Sequence, residues 1–317
     1  MDGEREGQEK GVMPARERAD EVVFIGGTGR SGTHVLGRLL GRHPRLAGVP
    51  IECRFHCNKR GMPDLLGGRV SLAGFVEKLR DFWWHRVRIE GEPRGLYYLM
   101  TRRRFDAALE LFAGAYHDDP LAACRRLFCD LLWPLAEEEG KPGLVEMSSH
   151  NVREAQTLRR IFPEARFVHA VRDGRDAASS VTTKTWGPDG IVAGIDWWAD
   201  RLRAIDAGVR GEEDGSLYTL PADRLCVVVL DDLVGGDREA AYARLTGFVG
   251  ADDDAAMREF FDRRMRPADA HLARWREGLG RLGRLRVQRK YDRTLAALER
   301  ERNHAAVPLL EAYARLG

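Results

Sequence analysis

The chain has 317 residues, with 51 basic and 49 acidic side chains, a formal net charge of +2 and 44% hydrophobic residues. That length and composition suit one large α/β domain with a sizeable core. The balanced charge provides no global attraction to nucleic acid or to a membrane surface, so neither is expected as a partner. No stretch reaches the roughly 18 apolar residues that a transmembrane helix needs.

The N-terminus and the cysteines indicate the cellular setting. Residues 1–20 are charged and lack an apolar core, so they are predicted to be a disordered tail rather than a signal peptide. An odd number of cysteines without a leader favours reduced thiols in the cytoplasm. None of the cysteines has the C-x-x-C spacing of a zinc site, so no metal is expected. The five are Cys53, Cys57, Cys124, Cys129 and Cys226.

The first predicted unit is a strand over 22–27, a Gly-rich loop over 27–32 and a helix over 33–42. A short strand is expected at 46–49. An irregular stretch over 55–69 and then helical patterns without strands follow, which predicts a helical insertion over about 55–140 that covers the sheet. Its helices are predicted at 71–87, 105–116 and 120–139.

Strands and helices alternate again after the insertion. Each later strand is almost entirely apolar, which is typical of a parallel sheet covered by helices on both faces. The chain is therefore predicted to be α/β, with one domain over 21–317. The later strands are predicted at 143–146, 166–171 and 225–230, and the helices at 151–161, 174–186, 195–207, 237–249 and 290–315.

Two strand-to-helix turns carry the chemistry. The first, Gly26-Gly-Thr-Gly-Arg-Ser-Gly-Thr33, presents backbone N–H groups and a helix N-terminus to one point, as a phosphate or sulfate site requires. The second is Arg172-Asp-Gly-Arg-Asp-Ala-Ala-Ser-Ser180, which follows the strand at 166–171. Two such turns predict a ligand with two separate anionic groups.

Other nucleotide-binding classes fit less well and stay open as alternatives. A P-loop kinase would need a lysine in the first turn at a different spacing, and there is none. A Rossmann reductase would use the glycines and an acid about 20 residues on, where Glu52 stands. That class, however, leaves residues 166–180 unexplained, and the chain lacks a Tyr-x-x-x-Lys pair. A non-catalytic nucleotide-binding protein is the third possibility.

The residues of both turns resemble one known family. Phe24-Ile-Gly-Gly-Thr-Gly-Arg-Ser-Gly-Thr33 resembles the 5′-phosphosulfate loop of sulfotransferases that use 3′-phosphoadenosine 5′-phosphosulfate (PAPS). Residues 162–180 are similar to their 3′-phosphate motif. Val229-Leu-Asp-Asp-Leu-Val234 resembles a later strand-to-helix segment, although Leu230 stands where the family usually has Tyr. Glu52-Cys53-Arg54 resembles the acid and arginine of a branch that includes bacterial relatives of the tyrosylprotein sulfotransferases.

The resemblance implies a P-loop-type fold and transfer of a sulfuryl group from PAPS to a hydroxyl of a small molecule or peptide. The product nucleotide would be 3′-phosphoadenosine 5′-phosphate (PAP), and no metal is implied. Glu52 would be the general base, with Arg30 and Arg54 as the other catalytic residues, and the insertion would lie on the acceptor side. Donor binding is expected from Gly29, Arg30, Ser31, Gly32, Thr33, His34, Arg172, Ser180, Trp275 and Arg276.

Two features leave alternatives open. Met147 takes a position where many members of the family have a lysine, so Arg30, Arg54 or His150 would have to replace that cation. The aromatic residues of the insertion either line an acceptor pocket or form its core. They are Trp83, Trp84, Tyr97 and Tyr98.

Overall fold

The computed structural model describes residues 21–86, 94–211, 219–270 and 272–316, so the predicted tail over 1–20 lies outside the described residues. Within them, five parallel strands form a sheet in the order β2-β3-β1-β4-β5. The predicted α/β class with a parallel sheet is confirmed. The strands are β1 (Val22–Gly27), β2 (Leu46–Gly48), β3 (Gly143–Glu146), β4 (Arg166–Val171) and β5 (Leu225–Val229).

Strand β1 lies at the centre of the sheet, between β3 and β4. Phe24 is in register with Glu146 of β3, and Gly27 is in register with Ala170 of β4. Because all the strands are parallel, their carboxyl ends meet at one edge of the sheet, where α/β proteins bind ligands. The turns that follow β1 and β4 are therefore neighbours.

Helices cover both faces of the sheet. Consecutive strand residues point to opposite faces, so Phe24 belongs to one buried cluster and Ile25 to another. The α-helices are α1 (Thr33–Leu40), α2 (Met62–Leu66), α3 (Leu72–Lys78), α4 (Arg102–Ala115), α5 (Pro120–Glu138), α6 (Ala155–Ile161), α7 (Gly174–Val181), α8 (Gly190–Arg210), α9 (Leu230–Val234), α10 (Arg238–Val249), α11 (Ala255–Arg264), α12 (Pro267–Ala270), α13 (Arg281–Arg300) and α14 (Ala306–Leu316).

The regular elements described between β2 and β3 are all helices, joined by turns and irregular segments. Helix α3 continues directly into a π-helix over Leu79–Trp83. Trp83 and Trp84 are buried in the cluster that this segment shares with one face of the sheet, whereas Tyr97 and Tyr98 are exposed. The two tryptophans therefore form core. Among the described residues, none of the helices combines the length and hydrophobicity needed to cross a bilayer.

The C-terminal part differs from the sequence prediction. One amphipathic helix was expected near 290–315, but the chain forms α13 and α14 with a break between them. In the break, Arg302 has a φ of 55°, and the Asn303 side chain accepts a hydrogen bond from the Ala305 N–H at 3.1 Å. An asparagine side chain that bonds the backbone in this way competes with helix continuation. The apolar period persists through the break and conceals it.

Candidate active site

The turn after β1 has the geometry of an anion-binding loop. Gly29, Arg30 and Gly32 have φ values of 83°, 60° and 93°, in the left-handed region. Such residues gather successive N–H groups into a concave surface. A Cβ on Gly27 would lie 2.3 Å from the Ser31 Oγ and 2.4 Å from a β4 carbonyl oxygen, so only glycine lets the turn fold back over the strand.

The end of this turn leaves polar groups for a ligand. Gly32 is the N-cap of α1 and has no side chain to cap the first N–H groups of that helix. The Ser31 Oγ is buried, and among the described residues it has no hydrogen-bond partner. A buried hydroxyl without a partner is unfavourable, and an anion oxygen would satisfy it. The turn and the helix dipole therefore fit a phosphate group.

The turn after β4 is built differently. The N-terminus of α7 is already capped, because the Asp173 carboxylate accepts a hydrogen bond from the Arg175 N–H at 2.8 Å. The anion contacts predicted for this turn are accordingly side chains, not the N-terminus of α7. Two side chains remain to bind an anion: Arg172, which lies 4.0 Å from the Asp176 carboxylate, and Ser180 in the last turn of α7.

The two turns are in direct contact. The Arg30 Nε donates a hydrogen bond to the Ser180 Oγ at 2.9 Å, which joins residues that are 150 positions apart in the chain. Arg30, Thr33 and Arg172 line one cavity of about 280 Å³. The donor-binding residues predicted from the two turns are thus brought to one place.

Glu52 and Arg54 lie beside the first turn. The Glu52 carboxylate is buried, binds the Arg54 guanidinium, and lies 3.7 Å from the His34 Nε2 and 3.8 Å from the Arg94 Nη1. Burial alone would raise the pKa of Glu52, but His34 and Arg54 outweigh it and hold the pKa well below its usual value. Glu52 is therefore an ionised carboxylate in the absence of ligand.

The segment that carries Glu52 and Arg54 rests on a buried polar network. The Glu146 Oε1 accepts hydrogen bonds from the Cys53 N–H at 3.3 Å and the Ser148 Oγ at 2.7 Å, and the Arg54 N–H donates to the same Ser148 hydroxyl at 3.1 Å. The Glu146 Oε2 lies 3.0 Å from the His56 Nε2. Burial favours neutral Glu146, but His56 and the side-chain hydrogen bonds from Asn151 and Ser148 lower its pKa. This network fixes the backbone of the Glu52 segment.

A second cavity, of about 410 Å³, also borders the first turn. It shares Arg30, Thr33 and His34 with the first cavity. Among the described residues, Glu52 is the single acid in its lining, and six lining residues are basic. They are Arg30, Arg54, Arg86, Arg94, Lys184 and Arg201, and the aromatic wall consists of Trp186 and Trp197.

Comparison with known proteins identifies the family. A sequence model described as "Sulfotransferase family" matches residues 22–255, which is most of the chain and includes both turns. The chain belongs to the sulfotransferase family. No curated protein matches it.

Several solved sulfotransferases are similar to the chain at low identity. The sulfotransferase domain of the Synechococcus PCC 7002 olefin synthase is 19% identical with a TM-score of 0.47, and the comparison covers 86% of this chain and 93% of that one. The sulfotransferase domain of the curacin biosynthetic pathway is 16% identical with a TM-score of 0.48, over 78% and 81%. Sulfotransferase STF1 from Mycobacterium tuberculosis H37Rv is 15% identical with a TM-score of 0.44, over 87% and 78%.

Met147, the residue that the resemblance puts in place of a lysine, does not line the cavity that contains Glu52. Its side chain is buried against α1, where a Cβ added to Gly37 would lie 2.7 Å from the Met147 Sδ. Lysine at this position would put its stem between the sheet and α1. The basic residues of the 410 Å³ cavity come from other segments of this sulfotransferase.

Trp275 and Arg276 lie in a short turn beside the second motif. The Trp275 ring is buried, with the Arg175 guanidinium 4.9 Å from its centre, and Arg276 is exposed. The backbone N–H of Trp275 donates a hydrogen bond to the Asp176 carboxylate at 3.0 Å. The turn is therefore attached to α7, and donor binding by Trp275 and Arg276 stays a prediction.

Sequence reasoning missed several residues of the larger cavity. Arg86 and Arg94 flank a short segment of the insertion, and no sequence motif around either residue indicates that it lines a binding site. Trp197 and Arg201 carry a weak signal, because a spacing of four puts them on one face of α8. The Arg201 guanidinium lies 4.5 Å from the centre of the Trp197 ring.

Asp231, in the segment after β5, gives a pH-dependent prediction. Its buried carboxylate accepts a hydrogen bond from the Asp173 N–H at 2.8 Å, and burial followed by the charge of Asp173 raises its pKa from 3.8 to about 7. The folded protein then holds a proton that the unfolded chain releases, so the raised pKa makes stability fall as the pH rises toward 7. Asp231→Asn is expected to remove this pH-dependent contribution to the unfolding free energy. Between about pH 5 and about pH 8, the unfolding free energy of the variant should rise by about 2.5 kcal/mol relative to that of the wild type.

Denaturant unfolding at several pH values measures this difference. Asp223→Asn is the matched control, because the Asp223 side chain is 77% exposed. If the difference in unfolding free energy between Asp231→Asn and the wild type does not change with pH, the raised pKa of Asp231 is contradicted.

Proposed function

We propose that this sulfotransferase transfers a sulfuryl group from PAPS to a hydroxyl of a small molecule or peptide. The hydrogen bond between Arg30 and Ser180 carries the proposal, because it joins the two motifs that resemble the binding sites for opposite ends of PAPS. This nucleotide has a phosphosulfate at its 5′ end and a separate phosphate at its 3′ end. Two adjacent anion sites of different construction suit such a ligand.

The donor roles follow from the groups in each turn. Backbone N–H groups of Ser31, Gly32 and Thr33, with the Ser31 hydroxyl, bind the 5′-phosphate, and Arg30 and His34 lie at the sulfuryl end. Arg172 and Ser180 bind the 3′-phosphate through charge-assisted hydrogen bonds. The attachment of the Trp275 turn to α7 supports its place near the adenine and the 3′-phosphate.

Glu52 is the proposed general base. The acceptor oxygen attacks sulfur, a new O–S bond forms, and the bond between sulfur and the 5′-phosphate oxygen breaks, which releases PAP. The hydroxyl proton passes to the Glu52 carboxylate. Alignment and stabilisation of negative charge do most of the work in related phosphoryl transfers, and Arg30 and Arg54 are the residues proposed for the second task.

Arg54 links donor binding to the basicity of Glu52. In the free protein its guanidinium is bound to Glu52 and lowers the pKa of that carboxyl. Sulfuryl oxygens in the cavity would compete for the same guanidinium. Loss of this partner would raise the proton affinity of Glu52 at the stage where a base is needed.

The setting proposed for the reaction is the cytoplasm, which the buried cysteines support. All five are free and buried. Free thiols persist where the cell keeps them reduced. A soluble nucleotide donor and a hydroxyl acceptor are then the proposed partners.

Thermal unfolding with nucleotides tests the donor assignment. A ligand that binds only the folded state at 100 times its Kd stabilises by about 2.7 kcal/mol. PAP is therefore expected to raise Tm by several degrees, whereas NADPH and ATP at the same concentration should raise it much less. A larger shift with NADPH would indicate a reductase, and a larger shift with ATP would indicate a kinase. Either result would remove the proposal.

A further inference from the structure

The 410 Å³ cavity is lined by more basic side chains than the donor requires. Arg30 lines both cavities and lies at the sulfuryl end of the proposed donor site. Arg86, Arg94, Lys184 and Arg201 line the larger cavity and are absent from the lining of the smaller one, which contains Arg172. These four basic residues therefore line the cavity that contains the proposed base Glu52, which the acceptor hydroxyl has to reach.

Arg201 is the most informative of them. Its guanidinium lies against the Trp197 ring, and its Nε is buried with no hydrogen-bond partner among the described residues. Burial, followed by the charges of Arg153 and Arg54, lowers the pKa of Arg201. A partly buried guanidinium next to other cations, with an unused donor, is an unfavourable arrangement unless an anion completes it.

Arg86 is in a similar environment. Its Nη1 donates a hydrogen bond to the Glu52 carbonyl oxygen at 3.3 Å, so the side chain extends along the Glu52 segment. Burial, followed by the charge of Arg54, lowers the pKa of Arg86 to about 10. The carboxylate of Glu52 is bound by Arg54. Among the described residues that line the 410 Å³ cavity, Glu52 is therefore one carboxylate among several basic side chains.

His150 supplies a neutral hydrogen-bonding group in the same wall. Burial, followed by the charges of Arg54 and Arg201, lowers its pKa to about 4, so the ring is neutral at physiological pH. Its Nδ1 is buried and has no hydrogen-bond partner among the described residues. This ring nitrogen can complete the coordination of a ligand oxygen, as a donor or an acceptor according to the tautomer.

We infer that the acceptor is a small molecule that carries an anionic group, such as a carboxylate, phosphate or sulfate, close to its reacting hydroxyl. Arg201 and Arg86 bind this group, and His150 adds a hydrogen bond. The inference rests on the proposed function, because the donor accounts for the cations of the other cavity. The aromatic wall of Trp186 and Trp197 would contact the rest of the acceptor.

Anion binding to the PAP complex tests the inference. With PAP saturating and ionic strength held constant with sodium chloride, Tm is followed while inorganic phosphate, inorganic sulfate or acetate is added. We expect at least one of these anions to bind the wild-type complex, and Arg201→Gln to weaken that binding at least tenfold. The affinity for PAP itself should change less than threefold. Comparison of acetate with phosphate and sulfate distinguishes a carboxylate site from a site for tetrahedral anions.

Two further variants make the result specific. Arg201→Lys keeps the charge and is expected to restore much of the anion affinity, which a merely structural role in packing against Trp197 would not predict. Arg263→Gln removes a charge from a 76% exposed side chain on α11 and should leave anion binding unchanged.

The outcomes separate the two proposals. A PAP complex that binds no anion, or binds it equally well after Arg201→Gln, overturns the inference and leaves the donor assignment in place. A protein that does not bind PAP overturns the proposed function and the inference together.

Discussion

Replacement of Glu52 by glutamine is expected to lower kcat about 10²- to 10⁴-fold, the range typical for loss of a general base. Glutamine retains the shape of the side chain but cannot take the proton of the attacking hydroxyl. The donor is bound by other residues, so the Kd for PAP should change less than threefold. Steady-state turnover and calorimetric titration with PAP measure the two quantities.

The control for this variant tests whether the same chemical change away from the site affects turnover. Glu110→Gln makes the same chemical change at an exposed position of α4 and should leave kcat unchanged. A variant at Glu52 with wild-type kcat would exclude Glu52 as the base. A variant that also loses PAP binding would assign it a structural role at the site instead.

Replacement of Arg172 by alanine is expected to weaken PAP binding about 10- to 100-fold. A hydrogen bond to a charged group contributes about 1.5–3 kcal/mol. A difference of about 1.4 kcal/mol in binding free energy corresponds to a tenfold change in Kd. Adenosine 5′-monophosphate lacks the 3′-phosphate, so its affinity should change little in the same variant. Measurement of both nucleotides with both proteins isolates the interaction with the 3′-phosphate.

Arg166→Gln is the matched control for Arg172, because Arg166 lies at the opposite end of the same strand. It should leave the affinity for both nucleotides unchanged. If Arg172→Ala weakens PAP and adenosine 5′-monophosphate equally, Arg172 does not bind the 3′-phosphate, and the proposed orientation of the donor is wrong.

The strands of the sheet could be predicted closely from the sequence. Strands β1, β3 and β4 have the predicted bounds, because each is a short apolar run next to polar or Gly-rich residues. Helix ends were less accurate: α7 was predicted to reach 186 and ends at Val181. Hydrophobic periodicity locates a helix but does not report where its backbone hydrogen bonds stop.

In the candidate site, too, some features could be predicted from the sequence and others could not. The glycines of the first turn and the Arg172 turn could be recognised because their chemistry is local, within ten residues of a strand end. The cap of α7 by Asp173 and the burial of Met147 against α1 could not, since both depend on which way a side chain points after the strands have paired.

The sequence by itself determined the family, the two turns that are predicted to bind anions and the alternation of apolar strands with helices, because short-range backbone and side-chain preferences encode these features. The tertiary structure alone decided that β1 lies next to β4, that Arg30 reaches Ser180, and that Arg86 and Arg201 face the same cavity. Those contacts join residues about 100 or more positions apart. They depend on how the sheet and insertion bury apolar surface together, which no local pattern specifies.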